Sequence, residues 1–248
     1  MTVMEIEGSV AVVTGAAAGI GQAIACRLAE LGARIVLADI ASCSQTLGMV
    51  GAVGGEAIVV NGDLRDDGEV EHLVDTAIQR FGGLQILVNN AGGGQPTARY
   101  PDAQVSQWAA VLELNLRTPM LATQFALPAL RADGGAVVNV ASTAGLDHQP
   151  YEWPEYGAAK AGLIRFTTAM AGLASDNVRV NCVVPDWVRT ARAETELAAM
   201  TADQRAATPK LIPLSVLADA VIELIGNEEL AGHVVVLRPG RPPHPLTP

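Results

Sequence analysis

Tyr156 and Lys160 stand four residues apart in the stretch YGAAK, with only glycine and alanine between them. That spacing is close to one helical turn, so both side chains share a face with their origins about 6 Å apart. A free phenol, with a pKa near ~10, is a poor base at neutral pH. Lowering that value by about three units requires about 4 kcal/mol. One ammonium at ~4 Å, under an effective dielectric of ~20, supplies about that much. The pair could therefore pass a proton to or from a substrate oxygen, and the small Gly157, Ala158 and Ala159 would let a flat ring lie against the helix. An isolated Tyr–x–x–x–Lys also arises by accident on exposed helices. The surrounding elements must decide.

A second chemical feature lies near the start of the chain. TGAAAGIG, residues 14–21, follows a short apolar run and opens a segment of helical spacing that runs through Leu31. Gly15, Gly19 and Gly21 allow a tight turn and let a pyrophosphate approach backbone N–H groups at the positive end of a helix. A glycine trio alone is weak; its position between a buried strand and a helix gives it weight. IVLAD then places Asp39 about 20 residues downstream, where an acid would grip ribose hydroxyls. A carboxylate there repels a 2′-phosphate, and with Ala18 and Ile40 in the flanking positions no basic residue compensates. The expectation is NAD rather than NADP.

The elements that must position these groups follow from periodicity. Short β-branched runs recur at 10–13, 34–38, 57–60, 85–88, 136–140, 178–184 and 233–237, continuous rather than alternating in polarity, as in strands buried on both faces. Between them lie helical segments; over 69–81, Val70, Leu73, Val74, Ala77, Ile78 and Phe81 fall on one stripe. This alternation predicts right-handed βαβ units: a single α/β domain over 1–248, a Rossmann-like doubly wound parallel sheet of about seven strands with helices on both faces. Residues 92–101 read as a loop and 190–213 as a helical insert or lid. The tail, 239–248, holds five prolines and cannot form a regular helix or a central strand.

Composition narrows the partners. Half of the 248 residues are hydrophobic and the net charge is −10, which excludes a basic nucleic-acid surface. No apolar run approaches the ~20 residues of a membrane helix, and the N-terminus lacks a basic signal region. The three cysteines, Cys26, Cys43 and Cys182, contain no CxxC pair, so metal binding is not expected; buried thiols in a reducing, cytoplasmic compartment are.

Four motifs, TGAAAGIG, NNAG (89–92), VASTAG (140–145) and YGAAKAG, have the order and spacing seen in one family, and from about 9 to 190 the chain resembles the classical short-chain dehydrogenases/reductases. The resemblance implies Tyr156 as general acid/base, with Lys160 tuning it and holding the nicotinamide ribose. Ser142 would hydrogen-bond the reacting oxygen, and Asn115 in LELNLRT would anchor a water chain from Lys160. It further implies cofactor contacts from Ile20, Asp63, Leu64, Asn89, Ala91, Gly92, Pro185, Val188 and Thr190, with NAD as cofactor, a small alcohol or ketone as substrate, and a homotetramer or homodimer. Read singly, Asn115 could be a helix-kink residue and Ser142 a strand-end cap.

Three departures from the pattern stand out. Asp186 follows Pro185 where the family has glycine, the 142–156 segment is one residue longer than its commonest spacing, and LRPGRPP replaces the usual ending. The longer segment brings His148, Tyr151 and Trp153 towards a substrate entrance, and Trp153 and Trp187 read as apolar walls. Arg99, Arg189 and Arg192 could pair with a substrate carboxylate, against the default of a surface arginine. The competing function is a catalytically silent NAD-binding protein that regulates or assembles partners; it would bind cofactor and turn over no alcohol or ketone. An extended-branch epimerase or dehydratase fits the chain length poorly.

Overall fold

The computed structural model describes residues 4–93, 98, 100–146, 153–208 and 210–246. Arg99, His148 and Tyr151 lie outside the described residues. All seven expected strands form: β1 (Val10–Thr14), β2 (Arg34–Asp39), β3 (Ala57–Asn61), β4 (Ile86–Asn89), β5 (Gly135–Val140), β6 (Val178–Pro185) and β7 (Val234–Leu237). They pair in parallel in the order β3-β2-β1-β4-β5-β6-β7. Val12 on β1 pairs with Val36 on one side and Leu87 on the other. Strand order therefore reverses between β1 and β4, which opens a crevice at their carboxyl ends.

An eighth strand was not foreseen. β8 (His244–Pro245) adds antiparallel to the edge of β7, and Leu246 N donates to Val234 O at 2.8 Å. Its prolines are tolerated because an edge strand needs only one row of hydrogen bonds.

Nine helices interleave with the strands among the described residues: α1 (Gly19–Glu30), α2 (Ser44–Ala52), α3 (Asp67–Phe81), α4 (Val105–Leu112), α5 (Thr118–Asp133), α6 (Pro154–Ala169), α7 (Ala191–Ala199), α8 (Ala202–Ala207) and α9 (Leu214–Gly226). Every residue of β1 is buried because the sheet is covered twice. Ala11 and Val13 pack with Ile24 and Leu28 of α1 and Leu217, Val221 and Leu224 of α9. Val10 and Val12 turn to the other face, against Leu73 and Val74 of α3 and Ala126 and Leu130 of α5. Leu163 and Ile164 of α6 pack on Cys182, Val184, Val234 and Val236. Burying each such aliphatic side chain stabilises by roughly 1.5–3 kcal/mol, so the α/β sandwich holds the strand ends rigid.

Helix α3 shows how local chemistry sets bounds. Asp66 caps its start, accepting from Gly68 N at 2.8 Å, and Gly82 ends it in the left-handed conformation at φ 86°. Val70, Leu73, Val74 and Ala77 are buried as the stripe requires, but Ile78 is 38 % exposed, at the margin of the face. Cys26 is also a correction: it is half-buried, whereas Cys43 and Cys182 are buried; all three are free thiols.

Candidate active site

Six strand ends deliver the site, those of β1 to β6. The turn after β1 is held by Thr14 and Asn90, two residues the sequence reading passed over. Thr14 Oγ1 accepts from the N–H groups of Asn90 and Ala91 at 3.0 and 2.9 Å. Asn90 Nδ2 donates back to Thr14 O and Gly15 O at 2.9 and 3.1 Å. This lacing leaves no space for side chains. A Cβ on Gly15 would lie 2.8 Å from Asn90 Nδ2, and one on Gly21 would overlap the Gly15 carbonyl. The signal existed in the NNAG motif, but an Asn–Asn pair does not reveal which member faces the turn.

The neighbouring Asn89 is a correction. Its side chain does not line the crevice; it is buried, with Nδ2 donating to Asn139 Oδ1 at 2.9 Å, Thr123 Oγ1 at 3.2 Å and Pro119 O at 3.3 Å. Asn139 continues the chain to Thr167 Oγ1 at 2.9 Å, stitching β4 and β5 to α5 and α6. Fully satisfied polar chains of this kind fix one packing arrangement.

Around the glycine turn the anion-binding features coincide. Ala18 stands at the N-cap of α1 with no side-chain cap, and no acid occupies the first turn, so its leading N–H groups face the crevice beside Gly19 and Ile20. Asp39 ends β2 with Oδ2 accepting from Ala17 N and Oδ1 from Ala41 N, both at 2.9 Å. Each oxygen keeps a lone pair for a ribose hydroxyl. At the end of β3, Asp63 pairs with Arg65, which holds its carboxyl below the usual range. Leu64 is buried, and its carbonyl accepts from Thr118 Oγ1 at 2.9 Å.

The Tyr–Lys helix, α6, packs against β5, β6 and β7. The Lys160 ammonium is 5.6 Å from the Tyr156 ring centroid. Lys160 is 3 % exposed and donates to Val140 O at 2.9 Å. Burial pushes its pKa down from 10.5 to about 8, with Cys182 opposing the shift; burial pushes the Cys182 thiol up to about 12. Ser142 caps a short 3-10 turn, Thr143–Gly145, accepting from Ala144 N at 3.2 Å, which leaves its hydroxyl hydrogen free for a substrate oxygen.

Asn115 is both a kink residue and a site residue. It sits in a π-helical segment, Glu113–Arg117, between α4 and α5. Its Nδ2 donates to Val111 O and Gly93 O at 2.9 and 2.8 Å, and its Oδ1 accepts from Gly93 N at 2.9 Å. Gly92 lies in the angle between Asn115 and Lys160. A Cβ there would be 2.7 Å from Asn115 Oδ1 and 3.1 Å from Lys160 Nζ.

The loop after β6 closes the fourth side. Pro185 and Val188 are buried, and Val188 bridges to Ile212, with Ile212 N donating to Trp187 O and Arg189 N to Ile212 O, each at 2.8 Å. Thr190 caps α7 through Ala193 N and brings its methyl to 3.3 Å from where a Gly19 Cβ would be. Asp186 has no positive φ; its Oδ1 accepts from Trp187 N at 2.8 Å and its N–H donates to Leu237 O at 2.9 Å. This backbone therefore has no conformational need for glycine.

Comparison with known proteins agrees with this geometry. Residues 9–201 match the short chain dehydrogenase family. The chain belongs to the short-chain dehydrogenase/reductase family. It is 39 % identical over 213 residues to cis-4-hydroxycyclohexanecarboxylate dehydrogenase of Sinomonas cyclohexanicum, covering 84 % of this chain and 83 % of that one. It is 36 % identical over 190 residues to a 3-oxoacyl-[acyl-carrier-protein] reductase of Synechocystis, covering 75 % and 76 %. Among solved structures it resembles a 7α-hydroxysteroid dehydrogenase complexed with NADH and 7-oxo glycochenodeoxycholic acid, with TM-score 0.87, 28 % identity and 96 % of each chain covered. A short-chain type dehydrogenase/reductase from Mycobacterium marinum gives TM-score 0.86 at 26 % identity, covering 94 % and 95 %. The protein is thus an oxidoreductase of an NAD(P)-using family. Among the described residues no group of His, Cys, Asp or Glu could hold a metal, and no helix is long and apolar enough to cross a membrane.

Proposed function

We propose that the protein is an NAD-dependent dehydrogenase interconverting a secondary alcohol and a ketone. The observation that carries this reading is the buried Lys160 ammonium beside the Tyr156 ring, at a crevice where Gly15, Gly21 and Gly92 leave no room for a Cβ. That crevice fits a dinucleotide: Gly15, Gly19, Ile20 and Gly21 would meet the pyrophosphate, and Asp39 the adenosine ribose. Asp63, Leu64, Ala91, Gly92, Pro185, Val188 and Thr190 would line the remainder. A bound NAD would supply the hydride acceptor.

The chain's own residues manage the proton. In oxidation the substrate carbon loses a hydride, and the hydroxyl proton passes to the Tyr156 phenolate; reduction reverses both. Ser142 donates its hydroxyl hydrogen to the same oxygen and fixes its direction. At neutral pH, below the Lys160 pKa of about 8, the ammonium remains charged. Standing 5.6 Å from the centre of the Tyr156 ring, its positive charge favours the phenolate over the phenol. Asn115 holds Gly93 and so keeps the floor beside Lys160 open. The α7–α8 segment acts as a lid hinged on the Val188–Ile212 bridge. By family resemblance the assembly is a cytoplasmic homotetramer, which light scattering on the purified protein checks.

Tyr156→Phe tests the reading. Turnover of a ketone panel, followed by nicotinamide absorbance, should fall by about a thousandfold or more, while NADH binding by fluorescence persists. Retained turnover would remove Tyr156 from its role. Saturation by NADP as readily as by NAD would overturn the cofactor assignment.

A further inference from the structure

The reading above leaves Arg192 without a task. Arg192 lies in the first turn of α7, where side chains lean back towards the helix start. Its Nη1 is 3.7 Å from the point a Gly93 Cβ would occupy. Gly93 is the residue Asn115 clasps from both sides, and Gly92 before it abuts Lys160. The guanidinium and the Lys160 ammonium thus approach adjacent residues, whose Cα atoms are about 3.8 Å apart, so they fall within roughly 14 Å of each other. That is the scale of a small bifunctional substrate reaching from the reacting oxygen to the mouth of the site.

Among the described residues, only one nitrogen of Arg192 is engaged. Its Nε donates to Glu196 Oε1 at 2.9 Å, in an i,i+4 pair whose side chains are 55 % and 35 % exposed. Exposed pairs of this kind contribute little and exchange readily. Nη1 and Nη2 have no partner among the described residues. They offer a planar fork, the geometry that receives a carboxylate through two parallel hydrogen bonds. In a chain of net charge −10, such a fork at the site mouth also offsets the repulsion an anionic substrate would otherwise meet.

We propose that the substrate is a hydroxy or keto carboxylate whose carboxylate is received by Arg192 while its alcohol or ketone carbon lies at Tyr156. This rests on the dehydrogenase reading and names the substrate class of that site. Arg192 is a specificity-determining residue, and Glu196 holds it between turnovers.

The test uses the full-length enzyme with NADH and pairs of probes: levulinate and longer straight-chain keto acids, each beside its primary amide. Wild type should favour the acid of the best pair by roughly ten- to a hundredfold in kcat/KM, the range of a charge-assisted hydrogen-bonded pair. Arg192→Gln should collapse that acid-to-amide ratio towards one, with NADH Kd within twofold of wild type. Arg192→Lys should give an intermediate ratio, and Glu196→Gln should raise the wild-type ratio slightly by removing the carboxylate that competes for the guanidinium charge at Nε. A ratio unchanged in Arg192→Gln overturns the proposal, as does a wild type that turns over acids and amides equally; in both cases the dehydrogenase reading stands. Weakened NADH binding, with acid and amide affected alike, assigns Arg192 to the cofactor diphosphate and also overturns it. If no ketone is turned over, the dehydrogenase reading itself fails. Fluorescence titration of acid against amide into the NADH complex then still reads the ratio on wild type and Arg192→Gln.

Discussion

The two ends of the sheet are built from the same strands and solve opposite problems. At the carboxyl end, glycines sit where no Cβ fits, a lysine is buried, and the Ser142 hydroxyl hydrogen and the uncapped N–H groups at the start of α1 have no partner among the described residues. At the amino end a cavity of about 350 Å³ lies among Glu5, Glu7, Arg34, Phe81 and Gln85. There Arg34 and Gln85 are already engaged: Arg34 donates to Phe81 O and Gly8 O at 3.1 and 2.9 Å and stacks over Phe81. Gln85 accepts from Val10 N at 2.9 Å and donates to Asp133 at 3.0 Å. The amino-end cavity is therefore a structural seam, and the end whose hydrogen-bonding groups are held back from the fold is the candidate for chemistry. Space alone does not make a site; hydrogen-bonding capacity held back from the fold does.

The contrast is tested most sharply at Gly92. An alanine there would press on Asn115 Oδ1 and Lys160 Nζ at once. Displacing positioned groups by about an ångström lowers rates by about a hundredfold. We expect kcat/KM to fall by at least that factor, with little change in the unfolding midpoint. A variant with full activity would show that the Asn115–Lys160 spacing is slack.

Lys160 carries the next largest effect, on stability. Its pKa is about 8 folded against 10.5 for the free side chain. Between those values the unfolded chain holds a proton that the folded chain has lost, so stability rises with pH across the window. The integrated gain is about 3 kcal/mol, and below the window the burial cost is fully present. Lys160→Met should abolish this rise and be at least as stable as wild type at neutral pH, despite losing the bond to Val140 O. Denaturant midpoints measured across the window decide; a flat wild-type curve would show that the ammonium is not desolvated as the structure indicates.

How much of this was legible depended on the range of the physics involved. Seven strands were readable because two-sided burial writes continuous Val/Ile runs. The eighth was not, since His244 and Pro245 pair only because β7 has an open edge. The placement of Tyr156 beside Lys160, of Asp39 at the end of β2 and of the glycines at the start of α1 was readable because local spacing sets it. Asn89 was misassigned because the choice between interior and crevice is made by Asn139 and Thr123, distant in sequence. Thr14 and Asn90 escaped for the same reason: their role exists only across strands. Asp186 departs from the family's glycine, yet the backbone it occupies has no positive φ.

Asp39 gives a smaller effect at the carboxyl end. Asp39→Asn keeps one of the two acceptor contacts, to Ala17 N or Ala41 N, and removes the charge that opposes a 2′-phosphate. The ratio of kcat/KM for NAD over NADP should narrow by roughly tenfold. A ratio that does not move would place cofactor choice elsewhere.

The smallest effect belongs to the amino end, where the comparison predicts damage to stability without damage to chemistry. Arg34→Met removes two hydrogen bonds to carbonyls and the contact with the Phe81 ring, while its stem continues to cover the seam. Losing charge-assisted bonds at a partly exposed position costs about 1–2 kcal/mol. For a domain of this size each kcal/mol lowers Tm by about 2–4 °C. The strand ends that carry Thr14, Asn90 and Ser142 are separated from Arg34 by the full length of the sheet and are laced by their own hydrogen bonds. Turnover and NADH affinity should therefore stay within twofold of wild type while Tm falls. Should kcat/KM drop along with Tm, the two ends are mechanically coupled, and the division of the sheet into a structural end and a chemical end would have to be withdrawn.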